Sequence, residues 1–467
     1  MTPNPGGKLH VLIASFPAYG HIIPLYELAK KVGKHHRVTF AVSAPKLSDL
    51  VKREIVNASD PVTLFGIEDG LVDDFDNPTD PGVMARVFQT VLPAFAQLMT
   101  VIPVRNGNIS TVSGIATPVD IVITDNFLGG PAAISHQRGI PFYSFCTANA
   151  TMLQIMLMLN EDSPTVEEAD AEPFVKLPEP GEAPRPVPEA MKKLFLPMRT
   201  GLKFARGIII NSLRELDQEA IRAIDENGEL KALTFHFVGP LLPEEKGANS
   251  EAQLATEGKV GKWLDAQAVN SVVYVSFGSV ATPKPEQVTI IGDVLLALGQ
   301  PFIWALREKH HQHLPAAIQA GITKQFDGSN DSKFLILDWA PQKLVLAHAA
   351  VSVFVSHCGW NSSLEALGSG KPVVAWPMFA DQLENGKWLE RLGAAVLIPD
   401  TGLKSAKVVS VEELNEAVVK VGGWKGGEVS VYGKAAQTWV DKISGAWAPG
   451  GSSEKEFLDL IRFQAKE

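Results

Sequence analysis

Residues Trp339 to Gln382 read WAPQKLVLAHAAVSVFVSHCGWNSSLEALGSGKPVVAWPMFADQ. The continuous apolar run Val351 to Ser356 predicts a buried strand. It gives way to His357-Cys358-Gly359 and then to a helical segment through Leu364 and Gly368. A strand, a glycine turn and a helix start in that order leave free backbone N–H groups at the positive end of the helix dipole, where an anion binds. His357 can donate to a phosphate oxygen and Ser362 can add a hydroxyl. A carboxylate beside a pyrophosphate would be repelled, so Glu365 is read as accepting from ribose hydroxyls. Upstream, Trp339 offers a flat face on which a base can stack. Ala340 has no bulk, so its backbone amide can pair with a uracil edge, and Gln342 can reach the ribose. Asp381 and Gln382 supply acceptors and donors suited to sugar hydroxyls. Each residue alone has a plainer reading: Trp339 and Trp360 as core aromatics, His357 as a satisfied buried histidine, Asn361 and Ser362 as helix caps. The ordered set as a whole is harder to put down to coincidence.

The rest of the chain repeats this alternation. Strands are expected at Leu9 to Ser15, Arg37 to Val42, Asp120 to Thr124, Ile140 to Phe145 and Gly207 to Ile210, with a helix from His21 to Val32. After a Pro-, Glu-, Gly- and Ser-containing stretch the pattern restarts at Ser271 to Ser276, Phe302 to Leu306, Phe334 to Leu337, Val351 to Ser356 and Val373 to Trp376. Continuous apolar strands alternating with helices mean parallel sheets covered on both faces. A chain of 467 residues exceeds one ordinary core. The expected division is an N-terminal domain over residues 1–240, a linker over 241–259, a C-terminal domain over 260–448 and a closing amphipathic helix over 449–467. A Pro- and Glu-rich stretch from Asp162 to Pro188 reads as a long surface loop, either a solvated excursion or a wall over an acceptor site.

Composition excludes several classes. Apolar content of 45% and charged content of 20% fit a globular protein. A net charge of -10 argues against a nucleic-acid partner. Two cysteines, Cys146 and Cys358, cannot build a disulfide framework and suit a reducing compartment. With no signal-like leader and no apolar run of spanning length, a soluble cytoplasmic protein without membrane insertion is expected. The acceptor-like sequons at Asn57, Asn108 and Asn149 are then chance matches.

Several longer stretches resemble the UDP-glycosyltransferases of the plant secondary-product type. The 339–382 segment is similar to their signature box at nearly every informative position. LIASFPAYGHIIPLYELAK (12–30), INSLRELD, VGPLL, KWLDAQAVNSVVYVSFGSVA and GGSSEKEFLDLI are similar to further family segments. Fragments such as PFIWALREK are nearest to flavonoid 3-O-glucosyltransferases. The resemblance implies a GT-B fold, α/β with two Rossmann-like doubly wound domains facing across a cleft. It implies transfer of a sugar from a UDP-sugar to a hydroxyl of a small lipophilic aglycone, with inversion, by a monomer needing no metal or other cofactor. It adds Gly359, Trp360 and Asn361 to the donor set, and Thr147 as a hydroxyl touching the sugar. It gives His21 as the catalytic base. An imidazole at a helix start after the first strand suits that role, because it titrates near neutrality. Asp125, in ITDNF after another strand, can accept from the other ring nitrogen. The turn at Gly278 and Ser279 faces the leaving phosphate. Gln382 resembles the residue associated with glucose donors. The acceptor is placed near Pro17, Tyr19, Phe88 and Phe127.

Competing signals are weaker. Asp74-Phe75-Asp76 has the Asp-x-Asp form of metal-dependent transferases, but lies in an acidic turn; His310 to His313 reads as an exposed loop. Gly422 to Gly427 lacks the Lys-Ser/Thr ending of a P-loop. Two other readings stay open: a UDP-sugar epimerase or hydrolase of the same architecture, and a silent sugar-nucleotide-binding protein.

Overall fold

A computed structural model describes residues 7–71, 81–104, 114–153, 159, 161–166, 186–226, 233–243, 251–278, 281, 283–323, 325, 332–402, 407–424 and 428–463. The chain divides into two compact units, Met1–Glu244 with Ala446–Glu467, and Glu245–Gly445.

In the first unit the strands are β1 (His10–Ala14), β2 (Arg37–Ser43), β3 (Thr63–Ile67), β4 (Ile121–Asp125), β5 (Phe142–Cys146), β8 (Gly207–Ile210) and β9 (Phe235–Phe237). Two-residue strands β6 (Thr165–Val166) and β7 (Val187–Pro188) pair only with each other. The large sheet is parallel in the order β3-β2-β1-β4-β5-β8-β9. Strand order reverses between β1 and β4. Val11 and Ile13 of β1 enter one apolar cluster, Leu12 and Ala14 another. Side chains alternate across a strand, so burial of both sets means both faces are covered. This is why the strand reads as unbroken apolar sequence.

The second unit contains β10 (Val272–Ser276), β11 (Phe302–Ala305), β12 (Phe334–Leu337), β13 (Val351–Ser356), β14 (Val373–Ala375) and β15 (Ala395–Leu397). Its sheet is parallel in the order β12-β11-β10-β13-β14-β15, reversing between β10 and β13. In such doubly wound sheets, ligands bind beyond the carboxyl ends of the strands where the order reverses. Each unit therefore has one topologically favoured site.

The final residues belong to the first unit. The helix Ser452–Leu460 and the residues after it place Phe457, Leu460, Ile461 and Phe463 in the same cluster as Val11 and Ile13. Trp447 Nε1 donates to the Pro240 carbonyl at 3.0 Å, Ser453 donates to the Gly239 carbonyl, and His36 Nε2 bonds the Ile461 carbonyl at 2.8 Å.

The segment expected as a linker, 241–259, runs at its C-terminal end into a helix, Glu251–Asp265. Its sequence EAQLATEGKVGKWLD is rich in strong helix formers despite two glycines. Strands β3, β9 and β15 were not expected; they are short strands at or near the sheet edges, and β3 and β15 are only partly buried, so they lack the continuous apolar signal.

Candidate active site

The favoured site of the first unit lies where β1 and β4 part. After β1, the chain turns through Pro17 and Ala18 into the helix Tyr19–Gly33, whose first turn carries His21. β4 ends in Asp125, which is fully buried. His21 Nδ1 lies 2.8 Å from Asp125 Oδ2. The other carboxylate oxygen, Oδ1, accepts from the Phe127 backbone N–H at 2.9 Å and caps the short 3-10 helix Asn126–Leu128. A carboxylate fixed at both oxygens holds the imidazole with its proton on Nδ1. Nε2 is then the ring nitrogen that bears the basic lone pair.

Aromatic rings surround this histidine. The Phe127 ring centroid is 4.7 Å from that of His21, and Phe16 is 5.4 Å away. Phe88 contacts Phe16 at 5.0 Å and Phe127 at 5.9 Å. Phe195, on the helix Glu189–Leu202, extends the cluster to 6.4 Å from Phe127. Sequence reasoning missed Phe195. Its only signal was the apolar face of a helix that follows a Pro-rich stretch.

The other two expected acceptor residues, Pro17 and Tyr19, lie at the turn after β1 and the start of the helix that follows. Pro17 is buried. The Tyr19 hydroxyl donates to Asp49, and its ring lies under Lys46 Nζ (4.8 Å) and the Arg53 guanidinium (5.5 Å). That hydroxyl is engaged in a charged cluster. Thr147 follows β5, half-buried, and its carbonyl accepts from Asn211 Nδ2 at 3.5 Å.

In the second unit the reversal between β10 and β13 brings two turns together. β10 leads into Gly278, whose φ of 75° is left-handed, a conformation that glycine adopts most readily. Ser279 lies outside the described residues. β13 leads into His357, then Cys358 at φ 61°, then Gly359 and the helix Trp360–Gly368. The His357 ring sits between the two glycines: a Cβ added at Gly278 or at Gly359 would lie 2.7 Å from its Nε2. Burial pushes the His357 pKa down to about 4, against the opposing effect of the Ser276 backbone. The ring is therefore neutral near pH 7 and one nitrogen carries a proton to donate.

Beside it, Gln342 Nε2 donates to Ser362 Oγ at 3.0 Å and to Glu365 Oε2 at 2.5 Å. Burial raises the Glu365 pKa, and the hydrogen bond from Gln342 opposes the rise. Trp339 follows β12 closely with 57% of its surface exposed, whereas Ala340 is buried. The Trp360 ring packs on Trp388 at 4.8 Å, and Asn361 is half-buried. Asn385 Nδ2 bridges the Cys358 carbonyl (3.0 Å) and Asp381 Oδ2 (2.8 Å). Gln382 Oε1 accepts from the backbone N–H groups of Met378 (2.8 Å) and Phe379 (3.0 Å). Its carboxamide oxygen thus shapes the loop, and only its nitrogen is without a partner among the described residues.

A family model described as "UDP-glucoronosyl and UDP-glucosyl transferase" matches residues 231–421, a span that includes all these second-unit residues. UDP-glycosyltransferase 71K2 of Pyrus communis is 31% identical over 453 residues, covering 89% of this chain and 90% of the relative. The chain belongs to the UDP-glycosyltransferase family. The anthocyanidin 3-O-glucosyltransferase of Vitis vinifera is 26% identical, covering 100% of this chain and 98% of the relative. The crystal structure of Medicago truncatula UGT71G1, complexed with UDP-glucose, superposes with a TM-score of 0.76 at 24% identity, covering 98% of each chain. The fold of this glycosyltransferase is GT-B, with one Rossmann-like sheet in each unit.

Asp74 to Asp76 lie outside the described residues, as do Lys425 to Gly427. His310 to His313 sit in a 3-10 helix, where His311 Nε2 bonds the Leu306 carbonyl at 2.9 Å. Among the described residues no helix is long and apolar enough to cross a membrane.

Proposed function

We propose that this UDP-glycosyltransferase transfers glucose from UDP-glucose to the hydroxyl of a small, lipophilic, aromatic acceptor and yields a β-O-glucoside. The observation that carries the reading is the His21–Asp125 pair at 2.8 Å, set at the sheet's reversal point among Phe16, Phe88, Phe127 and Phe195. The rings favour a flat apolar acceptor, and the imidazole supplies a base for its hydroxyl. A phenol suits both. The Vitis relative, named for an anthocyanidin, adds support for a flavonoid.

The reaction is a single displacement. His21 Nε2 takes the proton of the acceptor hydroxyl, and Asp125 stabilises the imidazolium. The acceptor oxygen forms a bond to the anomeric carbon as the bond to the UDP oxygen breaks, so configuration inverts. The departing diphosphate keeps the electron pair. Its charge is met by the N–H groups at the start of the helix Trp360–Gly368 and by neutral His357. Trp339 stacks on the base, and Glu365 accepts from the ribose hydroxyls. Asp381 and the Gln382 amide nitrogen face the sugar, which is the basis for glucose as donor. No metal is needed in this scheme, and the enzyme acts as a cytoplasmic monomer.

The test is His21→Ala assayed by product formation from UDP-glucose and a panel of phenols and flavonoids, with UDP binding measured in parallel. Transfer is abolished and UDP affinity is retained; unchanged turnover overturns the role of His21. Faster turnover with UDP-galactose than with UDP-glucose overturns the donor assignment, and loss of activity in EDTA overturns metal independence.

A further inference from the structure

Gln342 holds Ser362 and Glu365 through its amide nitrogen, so the direction in which its carboxamide points decides whether the ribose-facing carboxylate is held in place. A carboxamide turned by half a revolution would present oxygen to the carboxylate instead of N–H, and the two acceptors would repel. Something must hold the oxygen end on the other side. That group is the Tyr274 hydroxyl, which donates to Gln342 Oε1 at 3.1 Å.

Tyr274 lies in β10, the central strand beside the reversal point, and is 1% exposed. Its ring stacks on Phe354 of β13 with centroids 4.9 Å apart and planes 13° from parallel. Phe354 is also its neighbour in register across the sheet. A ring clamped between strands has little freedom, so its hydroxyl occupies a defined position. Burial raises the pKa of the phenol further, which keeps it protonated and able to donate.

We propose that Tyr274 is a positioning residue for the nucleotide: through Gln342 it fixes the Glu365 carboxylate in the orientation that receives the ribose hydroxyls. The relay has one direction. The Tyr274 proton goes to Gln342 Oε1, and the Gln342 amide protons go to Ser362 and Glu365. Tyr274 has no need to touch the nucleotide. The proposal rests on the reading of Glu365 as the ribose acceptor given above.

The probes are UDP and 2′,3′-dideoxyuridine diphosphate, which lacks both ribose hydroxyls, with dissociation constants measured by calorimetry. Tyr274→Phe keeps the ring and its stack on Phe354. It weakens UDP about threefold to tenfold, the loss expected from one hydrogen bond, and changes affinity for the dideoxy compound by less than about twofold. A merely structural role weakens both probes alike, and that result overturns the proposal, as does unchanged UDP affinity. Should Tyr274→Phe fail to fold, Phe354→Leu, which removes the stack that holds the Tyr274 ring, is read in the same way. Glu365→Ala separates the two failures. If it erases the preference for UDP while Tyr274→Phe does not, the relay is wrong and the ribose reading stands. If Glu365→Ala keeps the preference, the ribose reading is wrong and the relay falls with it.

Discussion

Replacing Asp125 by asparagine tests the proposed chemistry most directly. Both carboxylate oxygens are acceptors: Oδ2 for His21 Nδ1 at 2.8 Å and Oδ1 for the Phe127 N–H at 2.9 Å. Asparagine has only one such oxygen. If it faces Phe127, the new NH2 group points at His21 Nδ1, the ring proton moves to Nε2, and no lone pair remains for the acceptor hydroxyl. If it faces His21, a buried N–H of Phe127 meets another donor, which costs about 1–3 kcal/mol. In either case the charge that stabilises the imidazolium is gone. Unit charges ~4 Å apart at an effective dielectric of ~20 attract by about 4 kcal/mol. The His21 side chain keeps 18% exposure while that of Asp125 has none, so water already screens part of this attraction. A loss of about 3 kcal/mol remains, on the order of 100-fold in kcat. The assay is kcat at saturating UDP-glucose and phenol, with UDP affinity and melting temperature measured on the same preparation. A kcat within about threefold of the parent refutes the assignment of Asp125 as partner of a catalytic base.

Other perturbations probe the second unit and the fold. Trp339→Ala removes an exposed stacking face, so UDP affinity falls by about 1–3 kcal/mol in calorimetry while the melting temperature holds. Gly278→Ala sets a Cβ 2.7 Å from His357 Nε2 and imposes a left-handed φ of 75° on a side-chain-bearing residue, so KM for UDP-glucose rises and stability falls by about 1–2 kcal/mol. Asp217 is 3% exposed, and burial pushes its pKa up to about 6 from 3.8, against a hydrogen bond from the Ala150 N–H. The folded state thus holds this proton more tightly than the unfolded chain, and stability declines as pH rises from about 4 to 6. Chemical denaturation of Asp217→Asn across that window shows the slope reduced relative to the parent.

Much of the second unit's candidate site was legible as local structure, because it is contiguous in the chain. Val351 to Ser356, the glycine turn and the helix start are contiguous, and the run of polar residues follows from one strand–turn–helix path. His21 and Asp125 were legible for a related reason: each follows a continuous apolar strand, and parallel topology places both at carboxyl ends. What escaped was tertiary. Nothing in the sequence shows that Gln382 Oε1 turns onto the Met378 and Phe379 backbone, or that Asp49, 30 positions away, takes the Tyr19 hydroxyl. Phe195 escaped because its helix reaches the cluster from a distant part of the chain. The helix Glu251–Asp265 escaped for a different reason, since the Pro, Gly and Ser of the preceding residues obscured a good helical composition.

The first unit is assembled from both ends of the polypeptide, with residues 245–445 intervening. During synthesis, the seven strands of its sheet leave the ribosome long before Phe457, Leu460 and Ile461, which fill the face formed by Val11 and Ile13. Ile22, Leu25 and Leu28 already cover part of that face, but the part that the late residues fill stays exposed apolar surface until then. The unit carrying His21 cannot finish folding before the unit carrying His357 has been translated, so a nascent chain stalled near residue 445 holds a second unit whose residues are all present beside an unfinished first one.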